Sequence, residues 1–421
     1  MRVARTSMAM LGVGLVGTLL ISSGGAAGAG VAQAGLTPPV TAPPAVGSPG
    51  PSNSVTDVPG VQVGQVQAAT APYRTGTSVV YFPKMSVAGV DQRGGAPATK
   101  ETDLLSPLNS NPGVNAIQLG GSSMYGLDAT SGIIRWLEDR NEGVPLGSVG
   151  VAPIVPAADI YDLGRGGSIK ARTTAEWGYV AASNAGSGPV RQGSVGGGTG
   201  ASSGGYKGGI GSASVYLGDG IYVGAIVIVN SAGSPVDSRD CSLLAARFAI
   251  GNEFAGLRTP TAAECHPVAA DGDALNTTIA VVVTNAPLEK AAAERFAVNA
   301  HDGMARAIDP IHTLADGDTV FGVSTGTGTP LRINDPAAGR QLNAIFNAGA
   351  TTLSRAIGKA ILSAQTIGTS RSYCDRYPSA CADLTAVKTW RTQGTAVEMT
   401  SKLFKDASKK LDVLPIPKPG R

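Results

Sequence analysis

Two nearly unbroken runs of apolar, β-branched residues, 221–230 (IYVGAIVIVN) and 277–285 (TTIAVVVTN), constrain this chain more than any other feature. A strand wetted on one face alternates apolar and polar residues, whereas a run that is apolar throughout must be covered on both faces. The runs therefore predict central strands with a packed layer on each side. Helices are available to cover them. Residues 288–308 (LEKAAAERFAVNAHDGMARAI) have an Ala-rich amphipathic pattern ended by Asp309-Pro310, and 341–367 hold a second long helical stretch. Residues 131–141 (SGIIRWLEDRN) read as a helix opened by a capping Ser131. A strand is expected at 77–82 (TSVVYF), strand-like alternation from Val55 onward, and an extended or edge segment at 151–163 because of Pro153 and Pro156. Residues 91–105 read as a polar, Gly-rich loop, and the Lys-rich stretch from Lys402 as a frayed tail. The expected class is layered α and β.

Composition narrows the function. Lys plus Arg is 33 against 30 Asp plus Glu, a net charge of +3 that leaves no electrostatic footprint for nucleic acid. The N-terminus carries Arg2 and Arg5, an apolar stretch at 8–21, and the small-residue pattern Ala32-Gln33-Ala34. The apolar stretch is short for a bilayer span, so 1–34 read as a secretory signal peptide, with no membrane attachment after its removal; the competing reading is an uncleaved N-terminal anchor. Residues 35–54 (GLTPPVTAPPAVGSPGPSNS) read as a flexible linker. Four cysteines in an exported chain suggest disulfides; sequence order favours Cys241–Cys265 and Cys374–Cys381, with three connectivities open. Their spacings do not match the usual zinc pairs, so no metal is expected.

Of the motifs that might carry chemistry, the glycine cluster at 193–200 (GSVGGGTG) lacks the helix and downstream acid of a phosphate loop, and reads as a tight turn close to another backbone. His301 lies within the amphipathic helix, where a hydrogen-bonded core histidine is the simpler account, and His312 reads as a loop-positioning residue. No G-x-S-x-G elbow is present. The informative constellation is Asn276-Thr277-Thr278 entering a buried strand after the turn-prone 271–275 (DGDAL), with Asp316-Gly317-Asp318 downstream. Cleavage before Thr277 would put a hydroxyl and an α-amine on one residue. An α-amine, with an ordinary pKa of about 7.7–8.0, serves as a general base near neutral pH, so nucleophile and base need no histidine.

From about residue 55 to 328 the sequence resembles the L-aminopeptidase/D-esterase (DmpA-type) family, which includes nylon-oligomer hydrolases. The resemblance rests on ordered motifs: 56–64 (TDVPGVQVG), 91–97 (DQRGGAP) with Glu101-Thr102-Asp103, 120–127 (GGSSMYGL), Pro153-Ile154-Val155-Pro156 leading to Ile160-Tyr161-Asp162, 196–200 (GGGTG) with Lys207-Gly208-Gly209, Asn276-Thr277-Thr278-Ile279, and 300–321 (AHDGMARAIDPIHTLADGDTVF). It implies an α+β fold, a four-layer αββα sandwich of the Ntn-hydrolase kind, made as a precursor that cuts itself between Asn276 and Thr277. The α chain would be 55–276 behind its linker, and the β chain 277–421 with a C-terminal extension. It also implies that Thr277 attacks an amide or ester, that Asn230 donates to the oxyanion, that Lys207 helps polarise the nucleophile, and that Tyr161 lines the oxyanion side. Asp316 and Asp318 would orient the amine and hydroxyl of Thr277. Aminopeptidase members commonly carry Ser as nucleophile, with Ser and Glu in place of Asp316 and Asp318; the Asn-Thr junction and D-G-D pair are nearer the nylon-oligomer branch.

The leading expectation is an exported aminopeptidase that releases N-terminal residues from short peptides or amides, needs no cofactor, and assembles as a homo-oligomer of the cleaved unit. The alternatives are an ω-amino-acid oligomer hydrolase, an acetyl-transferring relative, and a non-catalytic secreted binding protein.

Overall fold

The computed structural model describes residues 44–266, 268 and 275–412. The expected signal peptide, the first part of the linker, and most of the turn at 271–275 lie outside the described residues. In chain order the elements are β1 (Gln62–Ala68), β2 (Thr75–Gln92), β3 (Thr99–Lys100), β4 (Val114–Gly120), α1 (Ala129–Glu138), β5 (Val144–Pro145), β6 (Val151–Ala152), β7 (Ala157–Asp159), α2 (Ala175–Ser183), β8 (Ser202–Ser203), β9 (Tyr206–Lys207), β10 (Gly209–Gly218) and β11 (Ile221–Asn230). There follow β12 (Thr277–Thr284), α3 (Lys290–Ala305), β13 (Thr319–Ser324), α4 (Gly339–Ser363), α5 (Tyr373–Arg376), α6 (Pro378–Cys381), α7 (Ala386–Thr392), β14 (Val397–Glu398) and α8 (Ser401–Leu411).

The principal strands run in the order β10-β11-β12-β13-β2-β4-β7-β3, with β1 on β2 and β14 on β1. The 18-residue β2 serves two layers: its first half pairs with β1 and β4, its second half with β13. Between the layers lie Val80, Phe82, Ile117 and Leu119 from one side and Ile226, Ile228, Ile279, Val281 and Phe321 from the other. The intervening residues of β11 and β12 (Val227, Val229, Ala280, Val282) face outward onto α3 and α4 through Phe296, Ala300, Ile357 and Ile361. Val66, Val79, Tyr81 and Ala116 form a third core with Ile133 and Leu137 of α1 and Trp177 and Ala181 of α2. Helices, two sheets and helices thus stack as an αββα sandwich. Burial on both faces is the physical reason that the runs at 221–230 and 277–285 do not alternate.

Several sequence expectations are corrected. The alternation from Val55 begins as a 3-10 turn (Val55–Asp57) before β1. The loop expected at 91–105 starts inside β2 and contains β3. The helix expected to open at Ser131 starts at Ala129, continuing a 3-10 turn, so Ser131 does not cap it. The linker is not free to its end: the Gly47 N–H donates to the Tyr216 carbonyl (2.8 Å), the Tyr216 N–H to the Ser48 carbonyl (2.9 Å), and Ser54 is buried. The tail expected to fray from Lys402 forms α8 as far as Leu411, and its last part, 413–421, lies outside the described residues. Its Ala407 is buried against the α1/α2 layer and the Ser408 hydroxyl donates to Glu176 at 2.9 Å. Local composition read these stretches as solvated, and long-range contacts order them. The disulfides Cys241–Cys265 and Cys374–Cys381 are formed. The glycine cluster is the close-approach turn expected: a Cβ on Gly197 would lie 2.7 Å from the Leu119 carbonyl oxygen. Among the described residues no helix is long and apolar enough to cross a membrane.

Candidate active site

Thr277 is the first residue of β12 and lies directly opposite Asn230, the last residue of β11. Antiparallel pairing therefore brings together two residues 47 positions apart at the edge of the central layers. Just before the strand, Asn276 bridges to Asp316. The Asn276 N–H donates to the Ala315 carbonyl (2.9 Å), and the Gly317 N–H donates to the Asn276 carbonyl (3.1 Å). The buried Thr277 hydroxyl also donates to that carbonyl. The peptide bond between Asn276 and Thr277 thus has a hydroxyl and a backbone donor against one carbonyl group.

The turn carrying Asp316 and Asp318 is pinned by the Gly-rich strap after β2. The Arg93 N–H donates to the Asp318 carbonyl at 3.0 Å and the Ala96 N–H to the Asp316 carbonyl at 2.8 Å. Close approach requires glycine on the turn: a Cβ on Gly317 would meet the Ala96 oxygen at 2.6 Å and the Thr277 Oγ1 at 3.0 Å. Both carboxylates are buried and heavily bonded. Asp316 accepts from the Ala232 N–H (3.0 Å), the Thr313 N–H (3.2 Å) and the Thr313 hydroxyl (2.5 Å). Burial, and then the neighbouring Asp318, raise its pKa from the usual aspartate value, against the hydrogen bonds from Thr313 and Ala232. Asp318 accepts from the Thr278 N–H (2.6 Å) and, on its other oxygen, from the His312 N–H (3.1 Å) and Nδ1 (2.7 Å). Their bonds thus go to the frame around Thr277.

Asn230 collects the second half of the site. Its Oδ1 accepts from Arg165 Nη1 (2.5 Å) and the Ser202 N–H (3.0 Å), while its Nδ2 donates to the Tyr161 carbonyl (3.3 Å). Tyr161 therefore meets the site through its backbone oxygen. Lys207, on β9, lies against the end of the glycine turn at 196–200, and its ammonium donates to the carbonyls of Gly198 (3.2 Å), Ala201 (2.8 Å) and Gly208 (2.7 Å). Burial, and then the charge of Arg165, pull its pKa down to about 7 against the attraction of Asp162. Asp162 is itself pushed up to about 6 by burial, opposed by the Ser122 N–H, the Thr75 hydroxyl, Arg165 and Lys207.

Of the six residues singled out in the sequence, Thr277, Asn230, Asp316 and Asp318 meet at the strand ends, Tyr161 reaches Asn230 through its backbone carbonyl, and Lys207 pairs with Ser202, whose N–H donates to Asn230. Three contributors were not assigned a site role from the sequence. Gly317 was read only as part of the D-G-D turn. Arg165 is a single cation in the glycine-rich stretch 163–167 (LGRGG), a signal that was available. His312 was expected to position its loop and does so through Asp318, with a left-handed backbone (φ 59°) that few non-glycine residues adopt. His301 is the core histidine expected: it is buried, bonded to the Asp91 carbonyl (3.0 Å), and held near pKa 4 by burial. Among the described residues no cluster of three or more His, Cys, Asp or Glu is placed to hold a metal ion.

The layered fold has solved counterparts. The β-aminopeptidase of Burkholderia sp. superposes with a TM-score of 0.59 at 23% identity, covering 81% of this chain and 96% of that one. The L-aminopeptidase D-Ala-esterase/amidase of Ochrobactrum anthropi, described as a variant of the Ntn-hydrolase fold, gives 0.59 at 21% identity, covering 87% and 96%. The fold is that Ntn-hydrolase type. In sequence, an uncharacterized aminopeptidase of Mycobacterium tuberculosis is 43% identical over 346 residues, 78% of this chain and 99% of the relative. A 6-aminohexanoate-oligomer endohydrolase of Paenarthrobacter ureafaciens is 33% identical over 293 residues, 64% and 74%. Residues 53–373 match peptidase family S58, and the chain belongs to that family. It is a hydrolase of peptide or amide bonds, which removes the non-catalytic alternative.

Proposed function

We propose that the protein is an exported, self-processing aminopeptidase in which Thr277 is first the agent of its own release and then the nucleophile. One observation carries this reading: the Thr277 hydroxyl lies against the Asn276 carbonyl, which also accepts the Gly317 N–H. Attack of Oγ1 on the Asn276 carbonyl carbon forms an ester. The C–N bond breaks, the nitrogen takes up a proton as the Thr277 α-amine, and water hydrolyses the ester to an Asn276 carboxylate and free Thr277 hydroxyl. The Gly317 N–H supports the charge that develops on the Asn276 oxygen. Asp316, whose backbone bridges Asn276 and whose buried carboxyl has a raised pKa, is the proposed acceptor of the hydroxyl proton.

In turnover the freed α-amine takes the proton from Oγ1 as the hydroxyl attacks the substrate carbonyl. The Asn230 Nδ2 donates to the oxyanion, the leaving amine departs protonated, and water resolves the acyl-enzyme. Asp316 and Asp318 hold the new terminus of Thr277, and Lys207 and Tyr161 brace the Asn230 side of the site. No step calls for a metal or organic cofactor. The 43% identity to an aminopeptidase over nearly its whole length favours N-terminal residues of short peptides as substrate. The similarity to 6-aminohexanoate-oligomer endohydrolases, together with the Asn-Thr junction and two aspartates, supports ω-amino-acid amides as a second reading. Export rests on the N-terminal pattern and on two disulfides, which persist in oxidising compartments.

The test is the denatured, reduced mass of the purified protein beside Thr277→Ala. At 42.1 kDa for the whole chain, cleavage after Ala34 and before Thr277 gives pieces of about 24 and about 14.5 kDa. The smaller piece should begin at Thr277, and the variant should remain uncut and inactive. An uncut wild type with amidase activity would remove Thr277 from both roles.

A further inference from the structure

Resting on the assignment of Asn230 as oxyanion donor, we infer that Arg165 is the positioning residue that sets and strengthens that donor. An asparagine amide can flip, exchanging its oxygen for its NH2 group, and only one orientation presents N–H to an oxyanion. Here Oδ1 is held by two donors from separate segments, Arg165 Nη1 at 2.5 Å and the Ser202 N–H at 3.0 Å. A flipped amide would set its own N–H groups against both. The unflipped amide sends one Nδ2 hydrogen to the Tyr161 carbonyl and has a second to offer. The guanidinium does more than orient. A positive charge on the amide oxygen draws electron density from the nitrogen and makes Nδ2–H a stronger donor, which a neutral partner would not do. Arg165 is itself fixed: Nη1 also donates to the Gly200 carbonyl (2.8 Å), and the Arg165 carbonyl accepts from Arg74 (3.2 Å).

This role differs from direct recognition of a substrate carboxylate, which would act through binding and only on anionic substrates. It also differs from self-cleavage, where the scissile carbonyl is served by the Gly317 N–H. Arg165 variants should therefore still be cut.

The experiment is a double-mutant cycle on the self-processed enzyme with Arg165→Met, Asn230→Ala and the double variant, and with Arg165→Lys as the conservative change. Steady-state kinetics are read on a neutral probe (an amino-acid p-nitroanilide) and on one with a free carboxylate (the 6-aminohexanoate dimer). Arg165→Met should lower kcat about 10- to 100-fold on every probe the wild type cleaves, with KM little changed. That is part of the 10²–10³ that loss of a whole oxyanion donor costs. Arg165→Lys should recover part of the loss, and in the Asn230→Ala background Arg165→Met should cost little more. Additive losses, a KM effect confined to the anionic probe, or Arg165 variants that stay uncut each overturn the inference. Wild-type kcat in Asn230→Ala would instead sink the underlying assignment of Asn230, and the inference with it.

Discussion

The atoms around Thr277 are fixed by bonds from several segments: Asn276 N–H to Ala315, Gly317 N–H and the Thr277 hydroxyl to the Asn276 carbonyl, and Thr278 N–H to Asp318. Its neighbours Asn230, Asp316 and Asp318 are buried and each accepts at least two hydrogen bonds, so the site holds its geometry before any substrate arrives. Lys207 offers a residue-scale prediction. With a folded pKa of about 7 against an ordinary 10.4 in the unfolded chain, the native state gives up its proton while the unfolded chain keeps one. The unfolded state then binds more protons, so this group raises stability as pH climbs from 7 toward 10. Melting temperature against pH for the uncut Thr277→Ala protein should show that rise, and adding Lys207→Met should flatten it. An unchanged slope would mean that Lys207 stays charged in its ring of carbonyls.

At the scale of elements, the site is a meeting of strand ends. β11 stops at Asn230 where β12 starts at Thr277, and the turn before β13 supplies Asp316, Gly317 and Asp318. The strap at 93–96 presses on that turn and leaves no room for a side chain at Gly317. Gly317→Ala should therefore move the turn off the Asn276 carbonyl, slowing self-cleavage at least tenfold and costing about 1–3 kcal/mol of stability. Timed gels of freshly purified protein and denaturant melts read the two effects; cutting at the wild-type rate would remove Gly317 from the processing step. The strands and long helices were legible in the sequence because burial on two faces, or on one helical stripe, writes a period into the residues. α8 and the docked end of the linker were not legible. Their ordering comes from partners far away, such as Glu176 for Ser408 and Tyr216 for Gly47 and Ser48, which local composition does not encode.

For the whole molecule, cutting at Asn276 would not divide the protein into two bodies. β12 and β13, from the second piece, lie between β11 and β2 of the first. A buried ion pair crosses the same divide: Arg355 of α4 grips Glu253 through Nε (2.6 Å) and Nη2 (2.8 Å), and also donates to Asn53 (2.9 Å). The two pieces should elute together under native conditions and separate only on denaturation, whatever the size of any oligomer. Glu253→Ala would leave the Arg355 charge buried without its partner and should cost about 3–5 kcal/mol, read as a lower unfolding midpoint. A drop of under 1 kcal/mol would show that Asn53 and the Ser214 carbonyl suffice to hold Arg355.

Taken by itself, the sequence determined the layered class, the two central strands, the favoured disulfide pairing, and the motif order that marks the Thr277 region. Each of these is written in residues close together or in a long ordered series. Only the tertiary structure decided what surrounds Thr277. Antiparallel register sets Asn230 opposite it, close backbone packing puts the Gly317 N–H on the Asn276 carbonyl, and a loop from another layer lays Arg165 on Asn230. These are contacts between segments distant in the chain, fixed by the packing of the two sheets, and no local periodicity records them.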